Sequence, residues 1–515
     1  MAAPKVQNLI KGRVQQSGDE AVDLMKRRQT PELVIGFIGA VGAGVSTSKD
    51  IIAGLMHDHY GYTPTHYKIS DIIKESKKHT SFQGDVADAG DQRIKDLQKI
   101  GSELREKFGA GYLAAKVIEL IAVGRGNDGY EDEEFSNPKS RRVVHVIDSI
   151  KNESEAELLR AVYGSAFWLV GVFANENVRE IRLKKMGVSE LEIKKVISID
   201  EHEGPDHGQD VRDTFILSDY FLNNNSDEKS KLKGSLERLL EVIFSTTLIT
   251  PEADESGMAA AQQAAASSAC LSRQVGAVIR DQSDSTIGTG WNEVPKFGGG
   301  TYPDFNTNLD KRCFKSGSEK CRNDEYKENL FNDVILAAQA NGLPTDKLDN
   351  FKSELSKTRI KSLSEFSRSV HAEMAAIVDV ARNGSRNLAG STLFVTTFPC
   401  HNCARHIVFA GIKRVVYIEP YPKSLAMELH ADALENLAVS EGGGDSSKVI
   451  LEPFQGVGPV RYYAVFVRQE DVKKDGAFKT VNRSEAMPAD AVNLDAFSTL
   501  EKRITEYIKD IELGE

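Results

Sequence analysis

Three residues of this 515-residue chain have the types and order of a metal-binding site. His371 begins the run His-Ala-Glu, and a later Pro-Cys-x-x-Cys run supplies Cys400 and Cys403. One imidazole and two thiolates are three of the four ligands that Zn²⁺ prefers, which leaves the fourth position for water. An open fourth position is typical of a catalytic zinc site. The pattern therefore predicts a catalytic zinc site rather than a structural one.

Glu373, two positions after the predicted ligand, is expected to carry protons rather than to bind metal. The joint pattern, H-x-E followed by P-C-x-x-C, is the arrangement of the zinc deaminases. A C-x-x-C pair alone would equally fit a redox or structural site, and a single histidine is more often a core residue. Zinc lowers the pKa of its bound water. Glu373 would accept the proton of that water, pass it to a ring nitrogen and later protonate the departing amine. If the base is cytosine, hydroxide would attack C4, and the products would be ammonia and uracil.

A second group of residues predicts a phosphate-binding loop. A glycine-rich run follows a buried strand and opens a helix, so that backbone N–H groups and the helix N-terminus can hold phosphates. The loop residues assigned to nucleotide binding are Gly39, Gly42, Gly44, Ser46 and Thr47. Ser46 would contact Mg²⁺, and Asp148 at the end of a later strand would lie beside that ion in the Walker B manner.

The loop departs from the usual G-x-x-x-x-G-K-[ST] pattern because Val45 stands in place of the lysine. Lys49, one helical turn later, is expected to point away from the phosphates. The lysine neutralises charge on a transferring phosphate, so its loss should harm transfer more than binding. Nucleotide binding without efficient transfer is the favoured interpretation. A working kinase or ATPase, and a turn without ligand, are the alternatives.

Composition limits the classes of partner. Asp and Glu outnumber Lys and Arg by 76 to 65, giving a net charge of −11, which disfavours a surface built to hold nucleic acid. Five cysteines do not make a disulfide framework. The sequence shows neither a signal-peptide pattern nor an apolar run long enough to span a membrane. A cytoplasmic protein without a membrane partner or stable nucleic-acid binding is expected.

Alternating strands and helices predict an α/β protein with parallel βαβ units. The predicted parts are an N-terminal arm (1–30), a P-loop kinase-like parallel-sheet domain (31–248), a cytidine-deaminase-like three-layer α/β/α domain (249–470) and a C-terminal tail with a helix (471–515). Three further expectations concern the second domain: a helix Met258–Cys270, a polar insertion Gly298–Leu363 and a last strand Val460–Val467. Cys313 and Cys321 in the insertion fit free thiols, ligands of a second metal or a redox pair.

The first domain resembles the deoxynucleoside-monophosphate kinases. The resemblance rests on Ser70, on the run Arg93-x-x-x-Leu-Gln-x-x-Gly101 and on Asp148-Ser-Ile. It implies that Arg182, Lys184 and Lys185 supply cations from a lid. Together these residues favour a kinase-like fold that senses nucleotides.

The second domain resembles the deoxycytidylate deaminase family. The run TFPCHNCARHI (397–407) matches the family pattern F-P-C-x-x-C-A-[KR], and Ser272-Arg-Gln-Val-Gly and Gly290-Trp-Asn292 match as well. The resemblance implies that Asn292 contacts the substrate sugar, with a turn residue as the alternative. Ala375 replaces an asparagine that the family often has.

A kinase-like P-loop domain fused to such a domain resembles the bacterial anti-phage dCTP/dCMP deaminases. The resemblance implies zinc-dependent deamination of dCTP, dCMP or both to deoxyuridine nucleotides and ammonia, which would deplete the dCTP pool in antiviral defence. It also implies a regulatory nucleotide at the P-loop and a homo-oligomer, with a hexamer as one candidate, and it leaves room for an inhibitory partner. A polynucleotide-editing cytidine deaminase and a non-enzymatic nucleotide-sensing switch stay open.

Overall fold

The computed structural model describes residues 23, 25–127, 140–201, 210–225, 229–302, 309–317, 319–358, 360, 363, 366–384, 386–421, 424–437, 447–467, 472–479 and 481–513. The expected N-terminal arm lies mostly outside these residues. The chain forms two compact units. The first consists of Met1–Pro251 and Gln455–Glu515, and the second of Glu252–Phe454.

The strands, in chain order, are β1 (Leu33–Ile38), β2 (Thr63–Lys68), β3 (Val143–Ile150), β4 (Phe167–Phe173), β5 (Tyr220–Asn223), β6 (Gly276–Arg280), β7 (Thr286–Trp291), β8 (Thr392–Thr397), β9 (Arg414–Glu419), β10 (Leu434–Asn436), β11 (Val449–Pro453), β12 (Gly456–Val457), β13 (Lys473–Lys474) and β14 (Ala477–Phe478).

The α-helices, in chain order, are α1 (Val45–Tyr60), α2 (Ile69–Ser76), α3 (Gly90–Phe108), α4 (Tyr112–Asn127), α5 (Glu153–Tyr163), α6 (Glu176–Lys185), α7 (Glu190–Glu201), α8 (Val211–Phe215), α9 (Lys229–Phe244), α10 (Ala253–Ala265), α11 (Arg322–Ala340), α12 (Leu348–Ser356), α13 (Ala372–Asn383), α14 (His401–Phe409), α15 (Ala426–Leu429), α16 (Pro459–Phe466) and α17 (Leu494–Leu513). Within the described ranges, no helix has both the length and the apolar character needed to cross a bilayer.

The first unit is built on a six-stranded sheet in the order β12-β5-β4-β1-β3-β2. All neighbours are parallel except the antiparallel edge strand β12. Strand β1 is buried along its whole length because helices cover both faces of the sheet. Its alternate residues divide between two cores: Val34 and Ile38 pack with α3, α4 and α5, whereas Ile35 and Phe37 pack with α1 and α9. This is the predicted parallel α/β arrangement.

The chain returns to the first unit after Phe454, a feature that the sequence did not suggest. The expected strand Val460–Val467 is wrong: Gly458 caps a helix with Pro459 at its first position, where a missing N–H costs nothing. Arg461 on this helix donates from Nε to Oδ1 of the fully buried Asp219 over 3.0 Å. Helix α16, which follows the second unit in the chain, is therefore tied to the core of the first unit through Arg461.

The predicted C-terminal tail is likewise integrated into the first unit. Helix α17 packs along α4, and Leu494, Phe497 and Ile508 join the core. Glu501 accepts two hydrogen bonds from Arg125, which also donates to Glu32 over 2.8 Å. All three charged side chains are buried, so α17 closes a buried ionic network rather than ending the chain in solvent.

The second unit has a mixed six-stranded sheet in the order β10-β11-β9-β8-β6-β7, with β6 and β7 antiparallel to their neighbours. Helix α10 packs on β6 and β8, and the cluster on the opposite face includes residues of α13 and α14. This is the predicted three-layer α/β/α arrangement. It places the N-termini of α13 and α14 close together at the metal-binding residues.

Two expectations for the second unit are corrected. The alanine-rich helix begins at Ala253 instead of Met258, because Glu252 and Glu255 form a reciprocal capping box, and it ends at Ala265 instead of Cys270. The polar insertion contains α11 and α12, two helices that the sequence analysis did not predict.

Candidate active site

Two of the predicted zinc ligands lie at the first turns of neighbouring helices. His371 is the N-cap residue of α13 and Cys400 is the N-cap residue of α14, each with extended backbone. Their carbonyl oxygens accept the first helical hydrogen bonds, from Ala375 N over 2.8 Å and Ala404 N over 2.9 Å. A helix N-terminus favours negative charge, so this placement stabilises the Cys400 thiolate.

The three predicted ligands form one cluster. The ligand atoms of His371, Cys400 and Cys403 all lie within 4.8 Å of one another. Nδ1 of His371 is 3.3 Å from Cys400 Sγ and 3.5 Å from Cys403 Sγ. Bond lengths of about 2.1 Å to nitrogen and 2.3 Å to sulfur imply about 3.6 Å between two ligands of a tetrahedral zinc. The donor set and its spacing therefore fit zinc.

Electrostatics favour a thiolate at Cys400 and raise the pKa of the neighbouring Glu373. Interactions with Cys403 and His371 lower the pKa of Cys400 to about 4, although burial opposes this. Burial, and then the charge of Cys400, raise the pKa of Glu373. The Glu373 side chain, in the first turn of α13, is only 4% exposed. Proximity and burial make Glu373 a proton carrier suited to this site.

A pocket of about 260 Å³ opens beside the cluster. Its lining includes His371, Glu373 and Cys400 together with Asn292 and Phe398. Asn292 was predicted to contact a sugar, and the structure gives its amide two further bonds: Oδ1 accepts from Val275 N, and Nδ2 donates to Arg273 O. Asn292 therefore lines the pocket and also fixes the preceding segment.

Several polar residues of the pocket were missed by sequence reasoning. Arg273 and Tyr421 line it, and the insertion helix α11 adds Asn323 and Lys327. The guanidinium of Arg273 pairs with Glu419, and Lys327 lies 2.7 Å from Asp324. The signal for Arg273 was present in the matched run Ser272-Arg-Gln-Val. No local pattern shows that α11 reaches the pocket, because that contact depends on how the insertion folds back.

Close packing of β7 against α13 holds Glu373 in place. A Cβ added at Gly290 would lie 2.3 Å from both Ala372 O and Ala376 N. These atoms belong to the first turn of the helix that carries Glu373. Only glycine lets the strand approach this turn so closely.

The predicted P-loop residues line one cavity in the first unit. Gly42 and Gly44 have φ values of 82° and 94°, which allow the loop to curl before α1. Ser46 Oγ donates to Asp148 Oδ2 over 3.2 Å, so the two predicted Mg²⁺ contacts lie together. The cavity measures about 650 Å³, and Gly39, Thr47, Ser70 and Arg93 are also in its lining. Its size falls within the range of about 300–1,000 Å³ typical of ligand sites.

Three cations surround this loop. Lys49, expected to point away, forms a 3.4 Å ion pair with Asp148. Lys151 donates to Gly39 O over 2.9 Å, and Arg182 donates to Gly42 O and Ala43 O. Lys151 was missed because it follows β3, far along the chain from the loop. Lys185 also lines the cavity, whereas Lys184 pairs with Glu190.

The two unassigned cysteines line a small pocket with Cys270, and all five cysteines of the chain are free thiols. Among the described residues, the only group of three or more metal-binding side chains is His371, Cys400 and Cys403. Cys313 and Cys321 as ligands of a second metal therefore stay a prediction.

A three-layer α/β/α unit with a His-Cys-Cys cluster and an adjacent buried glutamate defines the class of zinc-binding deaminase domains. The family described as "Cytidine and deoxycytidylate deaminase zinc-binding region" matches residues 251–419. The deoxycytidylate deaminase of Enterobacteria phage T2 is 33% identical over 164 residues, which are 30% of this chain and 74% of the relative. The chain belongs to the deoxycytidylate deaminase family.

Solved structures with local similarity include two proteins. The dCMP deaminase of cyanophage S-TIM5 in complex with dCMP and dUMP has 19% identity and a TM-score of 0.23, covering 40% of this chain and 99% of its own. A gluconokinase from Sinorhizobium meliloti 1021 has 14% identity and a TM-score of 0.25, covering 43% of this chain and 99% of its own.

Proposed function

We propose that this protein hydrolytically deaminates deoxycytidine nucleotides, dCMP, dCTP or both, to the corresponding deoxyuridine nucleotides. The observation that carries the proposal is the convergence of His371, Cys400 and Cys403 beside buried Glu373 in a pocket of a deoxycytidylate deaminase family member.

In this proposal His371, Cys400 and Cys403 hold zinc, and bound zinc supplies the Lewis acidity that makes water nucleophilic at neutral pH. Glu373 accepts the proton of that water and delivers it to the ring nitrogen next to C4. It then takes the proton of the new C4 hydroxyl and gives it to the departing amine, so that the C4–N bond breaks, ammonia leaves and a carbonyl forms at C4. Asn292 holds the segment from Arg273 to Val275 against the sugar side of the pocket. Burial keeps competing water from the carboxyl group.

The test is ammonia release from the full-length, zinc-loaded protein with cytidine, CMP, dCMP, dCTP, dATP and single-stranded DNA. Loss of Glu373 removes a proton carrier, which is worth about 10²–10⁴-fold in rate. Glu373→Ala should therefore lose turnover by at least about 10²-fold while keeping its zinc. Glu428→Ala, an exposed glutamate on α15 of the same unit, is the matched control and should be unaffected.

Turnover of dCMP or dCTP alone supports the proposal and chooses between the two. Turnover of single-stranded DNA would instead favour the polynucleotide-editing class. Full activity of Glu373→Ala would refute the proposed mechanism. Absence of turnover on every substrate would favour the nucleotide-sensing switch.

The proposal includes a regulatory nucleotide, with Mg²⁺, at the P-loop. Support comes from the curled loop, the Ser46–Asp148 pair and the cavity that they line, combined with Val45 in place of the transferring lysine. Gly44→Ala tests this point. An added Cβ would lie 2.1 Å from Asn224 Nδ2 at a φ of 94°, so the loop must deform. Nucleotide-dependent activity should then be lost while basal deamination persists; an unchanged nucleotide response would refute the regulatory role.

The proposal extends to a role in antiviral defence in the cytoplasm, where depletion of dCTP would starve a replicating phage. It rests on the fusion of the two units and on five free thiols, which suit a reducing compartment. Cells expressing the protein should show lower dCTP and fewer phage progeny, and Glu373→Ala should abolish both effects. Light scattering of the purified protein tests the proposed homo-oligomer and distinguishes a hexamer from smaller assemblies. Co-purification tests for an inhibitory partner.

A further inference from the structure

The P-loop cavity contains buried polar atoms that the loop itself does not explain. Both amide atoms of Gln98, Nη1 of Arg105 and Oγ of Ser70 are buried without a hydrogen-bond partner among the described residues. All three residues line the same cavity as the loop. Gln98 is 5% exposed and Arg105 is 1% exposed. Burying such groups without hydrogen-bond partners is costly, because they lose the bonds that water would make. The arrangement is therefore unfavourable until a ligand supplies the partners.

One face of α3 presents these groups to the cavity. Gln98 and Arg105 are separated by seven positions, or about two helical turns, so they share a face with Gly101 between them. A Cβ at Gly101 would lie 3.4 Å from Arg105 Nη1 and 3.3 Å from Ile73 Cδ1. Glycine at this position leaves room beside the guanidinium.

The charge of Arg105 is already neutralised. Its Nε donates to Glu155 Oε1 over 2.8 Å, and Nη2 lies 2.7 Å from the same oxygen. Glu155 is 1% exposed, so the pair is a fixed, buried ion pair. Such a guanidinium suits a neutral carbonyl better than a phosphate. Arg93 and Lys185, which also line the cavity, are better suited to phosphate charge.

The unpaired groups provide two donors, Gln98 Nε2 and Arg105 Nη1, and one acceptor, Gln98 Oε1. The pairing edge of cytosine offers two acceptors and one donor, and so does that of thymine or uracil. The Gln98 amide matches either order by rotating about its last bond. Guanine offers two donors and one acceptor, and adenine leaves one protein donor unpaired.

We propose that the first unit binds the base of a pyrimidine nucleotide against Gln98 and Arg105, with its phosphates on the P-loop. The inference rests on the proposed nucleotide role of that loop and specifies its ligand. The unit would then respond to the same pyrimidine nucleotide pool on which the deaminase site acts.

The test is calorimetric binding of dTTP, dCTP, dATP and dGTP, with Mg²⁺, to the full-length zinc-loaded protein. A Glu373→Ala background keeps dCTP intact. Comparison with Gly44→Ala isolates the P-loop site from the deaminase pocket. Two lost base contacts predict that Gln98→Leu weakens pyrimidine binding at that site by about tenfold or more. Gln83→Leu, at an exposed position of the same unit, is the matched control.

Unliganded Gln98→Leu should melt no lower than Gln83→Leu, because it removes two unpaired buried atoms. A melting temperature well below the control would assign Gln98 a structural role and overturn the inference. Equal affinity of dTTP and dATP for the P-loop site in the parent chain would do the same while leaving the loop's nucleotide role intact. Absence of any binding that depends on Gly44 would overturn the nucleotide role and this inference together.

Discussion

Replacing Gly290 with alanine tests whether the approach of β7 to α13 sets the position of the catalytic pocket. The added Cβ would lie 2.3 Å from two backbone atoms of α13, and ordinary contact begins at 3.4 Å. Backbone atoms cannot rotate away as a side chain can. The strand and the first helical turn must therefore separate by about 1 Å, a misplacement that can reduce catalysis by about 10²-fold. We expect kcat/KM for the preferred deoxycytidine nucleotide to fall by about this factor.

Two controls separate misplacement from loss of folding. Gly276→Ala would place its Cβ 2.0 Å from Ala261 O on α10, which carries none of the proposed zinc ligands. Both substitutions should lower the free energy of unfolding by about 1–3 kcal/mol. Gly234→Ala on α9 meets open space and should not destabilise the protein.

The assay is initial-rate ammonia release, normalised to the folded fraction and to bound zinc. Gly290→Ala should lose activity per folded molecule, and Gly276→Ala should retain most of it. Activity of Gly290→Ala within threefold of the parent chain would refute the reasoning. An equal loss in both glycine variants would also do so, because the effect would then come from general destabilisation.

Three further predictions concern metal binding and stability. Chelation of zinc should abolish turnover and lower the melting temperature, since the metal binds only the folded site; restored activity with added Zn²⁺ checks reversibility, and full turnover of metal-free protein would contradict the proposed site. Arg461→Met should destabilise the first unit by about 1–3 kcal/mol, because Oδ1 of the buried Asp219 loses its donor while Oδ2 keeps Arg160 and Leu169 N; denaturant unfolding measures the loss, and no loss in the variant would count against the pair. Burial raises the pKa of Glu32, but contacts with His145 and Arg125 outweigh it and lower the pKa to about 2 from an ordinary value of 4.5. Because the folded pKa is depressed, this stabilisation of about 3 kcal/mol is complete above pH 4.5 and is lost as the pH falls toward 2; Glu32→Gln should reduce the pH dependence of unfolding in that window, and an unchanged slope would refute the assignment.

Local sequence predicted the donor set of the candidate zinc site. Residue type and spacing grouped His371, Cys400 and Cys403, whose ligand atoms the structure brings within 4.8 Å of one another, because the ligands occupy two short motifs; the role of Glu373 stays a prediction. The alternation of strands and helices predicted parallel strand pairing, which the structure contains in the sheets of both units.

Tertiary structure decided what depends on residues far apart in the chain. Val460–Val467 has strand-like composition, yet it is helical because Pro459 starts a helix and Arg461 reaches Asp219, more than two hundred positions away. Helix α17 belongs to the first unit because Glu501 completes the charge network of Arg125. The unpaired polar atoms of Gln98 and Arg105 became evident only from the fold, which buries them in the P-loop cavity. Burial and unmet hydrogen bonds are properties of the folded chain, so no local pattern in the sequence predicts them.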